Sequence, residues 1–390
     1  MSVSTSTILL GEIMATKLGS VDPSQFPNEV FDLYSIPAFD SGQPEVIAGS
    51  KIGSAKQIVQ PGDVLLSKIV PHIRRAWIVG KNRGRRVIAS GEWIVFRSDL
   101  IHAEYLKHAI VSDQFHDQFM ATVSGVGGSL LRARPSQVAN IKILLPRFED
   151  QRRIATILDK ADAIRRKRQE SIRLTEKFLQ STFIEMFGDP LTNPKGWEVV
   201  TCEETCERIT VGIVVRPASY YRDSGVPALR SLNVRANKVT TENLVYFSQE
   251  DNETKLAKTR VWRDDLLLVR SGQPGTAAVV PKELDGVNAI DILIATPNKS
   301  KVDPLYLCFY FNSERGKQMV LGEQRGQIQK HLNVGSLNVT PILLPPIKLQ
   351  REFSRRVKKI EDIKTKQIIE SDNMSSMFNA LTQCAFRGNI

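Results

Sequence analysis

One stretch of this chain occurs twice, and that repetition constrains the fold more than any other feature. Leu144-Leu145-Pro146 precedes Gln151 and a run free of proline and glycine from Phe148 to Phe187. Leu343-Leu344-Pro345-Pro346 precedes Gln350 and a similar run from Ile347 to Arg387. Pro146 and Pro345 are 199 residues apart, as are Gln151-Arg152 and Gln350-Arg351. The repeat extends upstream, where Gly62-Asp63-Val64-Leu65-Leu66 matches Asp264-Asp265-Leu266-Leu267-Leu268 at an offset of 202 and Tyr105-Leu106 matches Tyr306-Leu307 at 201. Loop insertions and deletions between diverged copies produce such a drift. Two copies are too few for a solenoid, so the chain reads as a duplicated domain.

Each proline-free run predicts a helix of about forty residues, roughly 60 Å long at 1.5 Å per residue. Ile154, Leu158 and Ala161 follow a four-three spacing, as do Phe353, Val357 and Ile360. The stripes resume at Ile172, Leu179, Phe183 and Met186, and at Met374, Phe378, Leu381 and Ala385. Such seams suit a coiled coil, and a helix this long with one apolar stripe is expected to bury it against the other. If each helix leaves its own copy at the same point, a two-fold relation between the copies makes the pair antiparallel. That arrangement brings Arg165-Arg166-Lys167-Arg168 near Lys364 and Lys366. Like charges repel, so both sets are expected to point outward. The plain reading is a solvated face; the sharper one is contact with phosphates or with acidic patches of a partner.

The boundaries predict a first globular unit at 1–146, a helix at 147–187, a second unit at 188–345 and a second helix at 346–390. In the first unit, Val46 to Gly49, Lys51 to Gly53, Asp63 to Lys68, Trp77 to Val79, Val87 to Ala89 and Ile141 to Leu145 read as strands, broken by glycine and proline turns. Lys81 to Arg86 reads as a basic hairpin loop and Ala103 to Met120 as one helix; Gly125, Gly127 and Gly128 mark a loop. In the second unit, Arg260 to Trp262, Leu266 to Val269, Ala277 to Val280 and Ile342 to Leu344 read as strands and Asp303 to Met319 as a helix. Loops are expected at Ser271 to Gly275 and Gly326 to His331. The fold class is therefore mixed helix and strand, α+β, with two domains related by pseudo-two-fold symmetry.

Hydrophobic residues make up 42% of the chain and charged residues 24%, a globular balance. The formal net charge is +11, which points toward a polyanion, most often nucleic acid. Cys202, Cys206, Cys308 and Cys384 lack zinc spacing and make no disulfide framework, so free thiols are expected. No signal peptide and no long apolar run are visible, and a cytoplasmic protein that makes no membrane contact is expected.

Several chemistries are missing. No Asn/Asp-Pro-Pro-Tyr/Phe motif occurs; Asn193-Pro194-Lys195-Gly196 lacks the second proline and the aromatic residue. Gly125-Val126-Gly127-Gly128 does not sit between a strand and a helix, as a cofactor loop should, and no Gly-x4-Gly-Lys-Ser/Thr pattern is present. Asp362 and Lys364 lie mid-helix and read as a solvated face, not a nuclease centre. His102, His108 and His116 could share a helix face, but surface or amphipathic positions are the default. No catalytic residue and no metal ligand is expected.

Reading a DNA sequence needs Arg, Lys, Asn or Gln projected from a rigid scaffold to base edges, with further cations on phosphates. In the first unit the candidates are Lys68, Arg74 and Arg75, the Lys81 to Arg86 loop, and Arg132 and Arg134. In the second they are Arg230 with Asn233 and Arg235, Arg270 with Gln273, and Arg325, Gln327 and Lys330. These groups fall at matching points of the repeat. For any one residue a solvated surface charge explains the sequence as well as a base contact, and the glycine loops fit ordinary turn chemistry.

The proline stop, the Gln-Arg pair, then Ile154-Ala155-Thr156-Ile157-Leu158-Asp159-Lys160-Ala161-Asp162, the basic run and Met186-Phe187-Gly188-Asp189-Pro190 together resemble the specificity subunit of type I restriction–modification systems. Asn193 to Trp197 and Ala380 to Gly388 resemble the same family, and the likeness runs the length of the chain. At the second stop Leu349 replaces the usual acid, which the first copy retains as Asp150. The resemblance implies one target-recognition domain per half, each reading half of a bipartite, asymmetric site on double-stranded DNA. It implies two modification (methyltransferase) subunits and restriction/translocase subunits as partners. S-adenosylmethionine, ATP and magnesium would sit on those partners, none on this chain. Two other classes fit less well: a stand-alone DNA-modifying enzyme of unrecognised motif, and a coiled-coil adaptor with no DNA affinity.

Overall fold

The structure, a computed structural model, describes residues 6–15, 17–125, 131–322 and 331–386. It holds two compact units, one built from the chain up to Glu170 together with the chain from Ile369 onward, the other from Ser171–Ile368. Each unit contains part of both long helices, which span Phe148–Phe187 and Ile347–Phe386, 40 residues each. Pro146 and Pro345-Pro346 precede the starts, where a missing N–H costs little. Gly188, at φ +82°, closes the first helix and donates its N–H to Ile184 at 2.8 Å.

In the first unit a three-stranded antiparallel sheet places Val64–Ser67 between Ala76–Ile78 and Trp93–Phe96. A five-stranded sheet runs in the order Ser20–Val21, Lys56–Ile58, Arg86–Ala89, Val30–Tyr34, Glu45–Ala48, with its third and fourth strands parallel. Ser6–Leu9 pairs antiparallel with Lys142–Leu145 and leads the chain into the first long helix. The second unit repeats this plan. Leu266–Val269 lies between Ala277–Val279 and Ile292–Pro297, with Cys206–Val211 at the edge. Glu198–Thr201 pairs with Pro341–Leu344 and leads into the second long helix.

Within each unit the helix segments pack antiparallel on the expected stripes. In the first, Ile154 and Leu158 share a core with Ala385 and Phe386, and Ala161 is buried as well. In the second, Leu179, Phe183 and Met186 share one with Phe353 and Val357. Contacts fall on one helix as they rise on the other: Phe183 meets Phe353 at 5.6 Å between ring centres, Glu176 meets Lys364 at 3.0 Å, and Ser171 accepts from Gln367 at 3.0 Å.

Several expectations need correction. The basic mid-helix runs do not all point outward. Lys364 is largely covered and pairs with Glu176 and Glu361. Arg165 pairs with Asp162 and lies 5.4 Å over the ring of Phe378, and Arg168 pairs with Glu370. Arg166, Lys167 and Lys366 are exposed, Arg166 while pairing with Asp162. Acids one turn away or on the facing helix remove the repulsion. Ala103 to Met120 is two helices, Ala103–Ala109 and Asp113–Met120, because Ser112 caps the second with its hydroxyl. Ser313 does the same between Pro304–Asn312 and Glu314–Leu321. Lys81 to Arg86 is no hairpin: the strands it joins belong to different sheets. Lys51 ends a 3-10 turn, and Arg260 to Trp262 makes only an isolated bridge. His108 is buried on Asp159 at 2.8 Å. The loops at Gly127, Gly128 and Gly326 lie outside the described residues.

Candidate nucleic-acid interface

The duplication reaches down to individual side-chain hydrogen bonds. Gln151 is buried; its Nε2 donates to the carbonyls of Pro146 at 2.9 Å and Leu100 at 3.3 Å, and its Oε1 accepts from the His102 N–H at 2.8 Å. Gln350 makes the same three bonds, to Pro345 at 2.7 Å, Lys301 at 3.3 Å and the Asp303 N–H at 2.8 Å. A primary amide suits this place because it alone offers an acceptor and two donors without charge. Tyr105 donates to Leu144 at 3.0 Å and Tyr306 to Leu343 at 2.7 Å. Burial pushes both phenols above their ordinary range.

A second repeated feature, a buried aspartate taking the N–H three residues before it, braces one end of each central strand. Asp63 takes both nitrogens of the Arg97 fork at 2.7 Å and the Gln60 N–H. Asp265 accepts from Arg208, from Thr296 and from the Trp262 N–H. Burial holds the Asp265 carboxyl above the usual carboxylate range despite those donors. Both aspartates are 1% exposed, so each arginine's pairing holds a buried carboxylate in place.

The candidate cations gather at the other end of these strands. Lys68 directly follows Val64–Ser67, and its N–H bonds the Glu92 carbonyl at 3.0 Å. Glu92 directly precedes Trp93–Phe96. Its carboxylate takes Arg132 Nη2 at 3.2 Å and lies 3.9 Å from Lys68 Nζ. Arg132 is brought there by pairing of its strand with Ile69, and Ala133 donates to the Lys68 carbonyl at 2.8 Å. Arg270 follows Leu266–Val269 in the same way, and Asp291 precedes Ile292–Pro297. Arg270 Nη1 pairs with Asp291 while its Nε donates to the Leu332 carbonyl at 3.1 Å, and Ser271 meets His331 at 3.1 Å. Each unit thus ends its central strand on a cation whose partner acid begins the neighbouring strand.

The other candidates separate by what they touch. Arg74 is spent on Asp113 and the Val111 carbonyl and tethers the helix Asp113–Met120. Arg75 is largely buried, with Asp40 at 4.0 Å and its Nε and Nη1 lacking a hydrogen-bond partner. Arg134 donates to Ser124 at 2.9 Å and stays exposed. Arg230 is held on the Asn243 carbonyl. Asn233 is buried and serves its own turn. Arg235 and Gln273 are exposed. In the Lys81 to Arg86 segment, Arg85 pairs with buried Asp32 and Arg86 with Glu29, which holds the Glu29 carboxyl below its usual range. Arg325, Gln327 and Lys330 lie outside the described residues. Among the described residues no group of three or more His, Cys, Asp or Glu is placed to hold a metal.

No family model matches the chain. The Escherichia coli K12 type I restriction enzyme EcoKI specificity subunit is 24% identical over 318 residues, 75% of this chain and 66% of that protein. The chain resembles type I restriction-enzyme specificity subunits. A type I restriction–modification structure, described as the basis of complex assembly and conformational transition, aligns at a TM-score of 0.61 over 99% of this chain and 98% of its own, with 21% identity. The type I S subunit from M. genitalium aligns at 0.57 over 98% and 96%, with 11% identity. Both likenesses establish the fold. The matched region spans about two thirds of the length of the curated relatives. Among the described residues no helix is long and apolar enough to cross a membrane.

Sequence reasoning missed Glu92 and Asp291 because it searched only for donors. The signal was present, since the two acids are 199 residues apart, the offset of the proline stops. It also missed the strained backbone beside the cations. Val70 at φ 47°, Arg216 at φ 44° and Asp291 at φ 50° are non-glycine residues in left-handed conformations. A β-branched residue there is a genuine outlier, and such strain concentrates at functional sites.

Proposed function

We propose that this chain is the sequence-reading subunit of a type I restriction–modification system, without chemistry of its own. Each unit would read one half of a bipartite, asymmetric site on double-stranded DNA. Two modification subunits, one per repeat, and restriction/translocase subunits would carry out methylation and cleavage in the cytoplasm, with S-adenosylmethionine, ATP and magnesium on those partners. The observation that carries this reading is the contrast inside the repeat: the glutamine and tyrosine bonds recur atom for atom, whereas the rim at the end of each central strand keeps a cation and changes its other side chains. A scaffold held constant beneath a variable basic rim suits two readers of different sequences. The resemblance to specificity subunits and the net charge of +11 support it.

The test is methylome sequencing of cells carrying this chain with its modification subunits. The expected result is one two-part motif with an unspecified spacer. Methyl transfer from labelled S-adenosylmethionine to DNA by the purified chain alone would overturn the reading in favour of a stand-alone enzyme.

A further inference from the structure

Resting on that reading, we propose that Glu92 and Asp291 are positioning residues for sequence readout, each aiming the cation of its own half. Three observations support it. First, the pair recurs at one topological position: the cation leaves the central strand, and the acid starts the strand hydrogen-bonded to it. Surface ion pairs formed by chance do not repeat in this way. Second, the acid leaves the cation's other donors unused. Arg270 is fixed at Nη1 by Asp291 and at Nε by Leu332; among the described residues Nη2 has no hydrogen-bond partner. A guanidinium anchored on two sides presents its remaining N–H groups in one orientation, as bidentate recognition of a guanine edge requires. Glu92 likewise draws Lys68 and Arg132 to one point, with its buried Oε2 making no hydrogen bond of its own. Third, Asp291 is held at φ 50° and donates its N–H to Ile213 at 3.0 Å, so the backbone aims the carboxylate as the carboxylate aims Arg270. Asparagine and aspartate tolerate that conformation better than most residues.

The experiment uses the full chain assembled with its modification subunits. Methylation is measured on a DNA library carrying every single-base change in both half-sites, for the parent, Asp291→Asn and Glu92→Gln. Both substitutions keep side-chain shape and remove charge. Asp291→Asn should reduce discrimination at one base pair of one half-site by roughly five- to tenfold and leave the other half-site unchanged. Glu92→Gln should do the reverse, and Asp291→Glu should restore part of the loss. Discrimination unchanged in both variants overturns the proposal, as does a uniform loss for all sequences, which marks a phosphate contact. A lowered thermal midpoint with equal loss at both half-sites marks a merely structural role and also overturns it. If one variant fails to fold, the other half's variant decides. The parent distinguishes the two levels: with no motif the recognition reading fails, whereas a bipartite motif untouched by either substitution sinks only the positioning role.

Discussion

Replacing Gln350 with leucine tests what fastens a long helix to its domain. Leucine keeps most of the volume and removes three hydrogen bonds, those to the Pro345 and Lys301 carbonyls and from the Asp303 N–H. The bond to Lys301 at 3.3 Å counts for little. The other two, at 2.7 and 2.8 Å, leave a carbonyl and an N–H in a site where the side chain is 0% exposed. At about 1–3 kcal/mol for each buried group left unsatisfied, the cost is about 2–6 kcal/mol. For a unit of this size, 3 kcal/mol lowers the melting midpoint by roughly 6–12 °C. Hydrogen exchange should be read together with the melt, because two units need not unfold as one transition. Exchange should rise at the start of the second helix and around Asp303. Gln151→Leu should do the same at the first helix, since its bonds are the same three. Gln350→Glu should be no better at neutral pH, because a carboxylate there faces two carbonyl oxygens. A variant that melts within 1 °C of the parent, with exchange unaltered, would refute the idea that these amides clamp the helices.

Two further outcomes follow from buried charge. Burial holds the His108 imidazole below its ordinary pKa, with Lys107 adding to the effect; the folded state therefore prefers the neutral ring, and that stability is present above about pH 6.5 and lost as pH falls below it. His108→Gln should flatten the fall in melting temperature between pH 7.5 and 5.5, and a parent whose midpoint does not fall over that range would contradict this. Arg97→Ala leaves the carboxylate of Asp63 buried and unpaired and should cost about 3 kcal/mol in urea unfolding, whereas Arg74→Ala removes a surface pair and should cost under about 1 kcal/mol; equal costs would show that burial of the acid is not what matters.

The long elements were legible in the sequence because they obey one rule over many residues. Forty positions without proline or glycine, with apolar seams, leave little alternative to helix. The repeat was legible because Pro, Gln and Tyr recur at nearly constant offsets, and those residues prove to be the ones whose atoms make the bracing bonds. Short strands were harder. Val30–Tyr34 and Cys206–Val211 went unnoticed because neither has a strict alternation, and both take their place from partners distant in sequence. Helix breaks at Ser112 and Ser313 were hidden because serine is tolerated within helices and its capping depends on where the next helix points. The rim was the least legible. Sequence shows where cations are, not which are spent: Arg74 and Arg230 are tethers, while Arg270 keeps donors in reserve. That distinction lies in the partner, and the partner of Arg270 comes 21 residues later.

The division of the long helices between units bears on the order in which the chain matures as it is made. The second unit is one continuous segment, Ser171–Ile368. The first lies upstream of it yet needs Ala385 and Phe386 in its core, with Phe386 against Tyr105 at 5.4 Å. Domains ordinarily mature from the N-terminus during synthesis, at about 5–20 residues per second. Here the segment up to Glu170 waits for residues near Phe386, roughly 10–40 s at that pace, while the unit Ser171–Ile368 has all its parts sooner. Until then Tyr105, Ile154 and Leu158 lack the helix that completes their apolar surroundings, and they wait longer than Leu179 and Phe183, whose partners Phe353 and Val357 are made earlier.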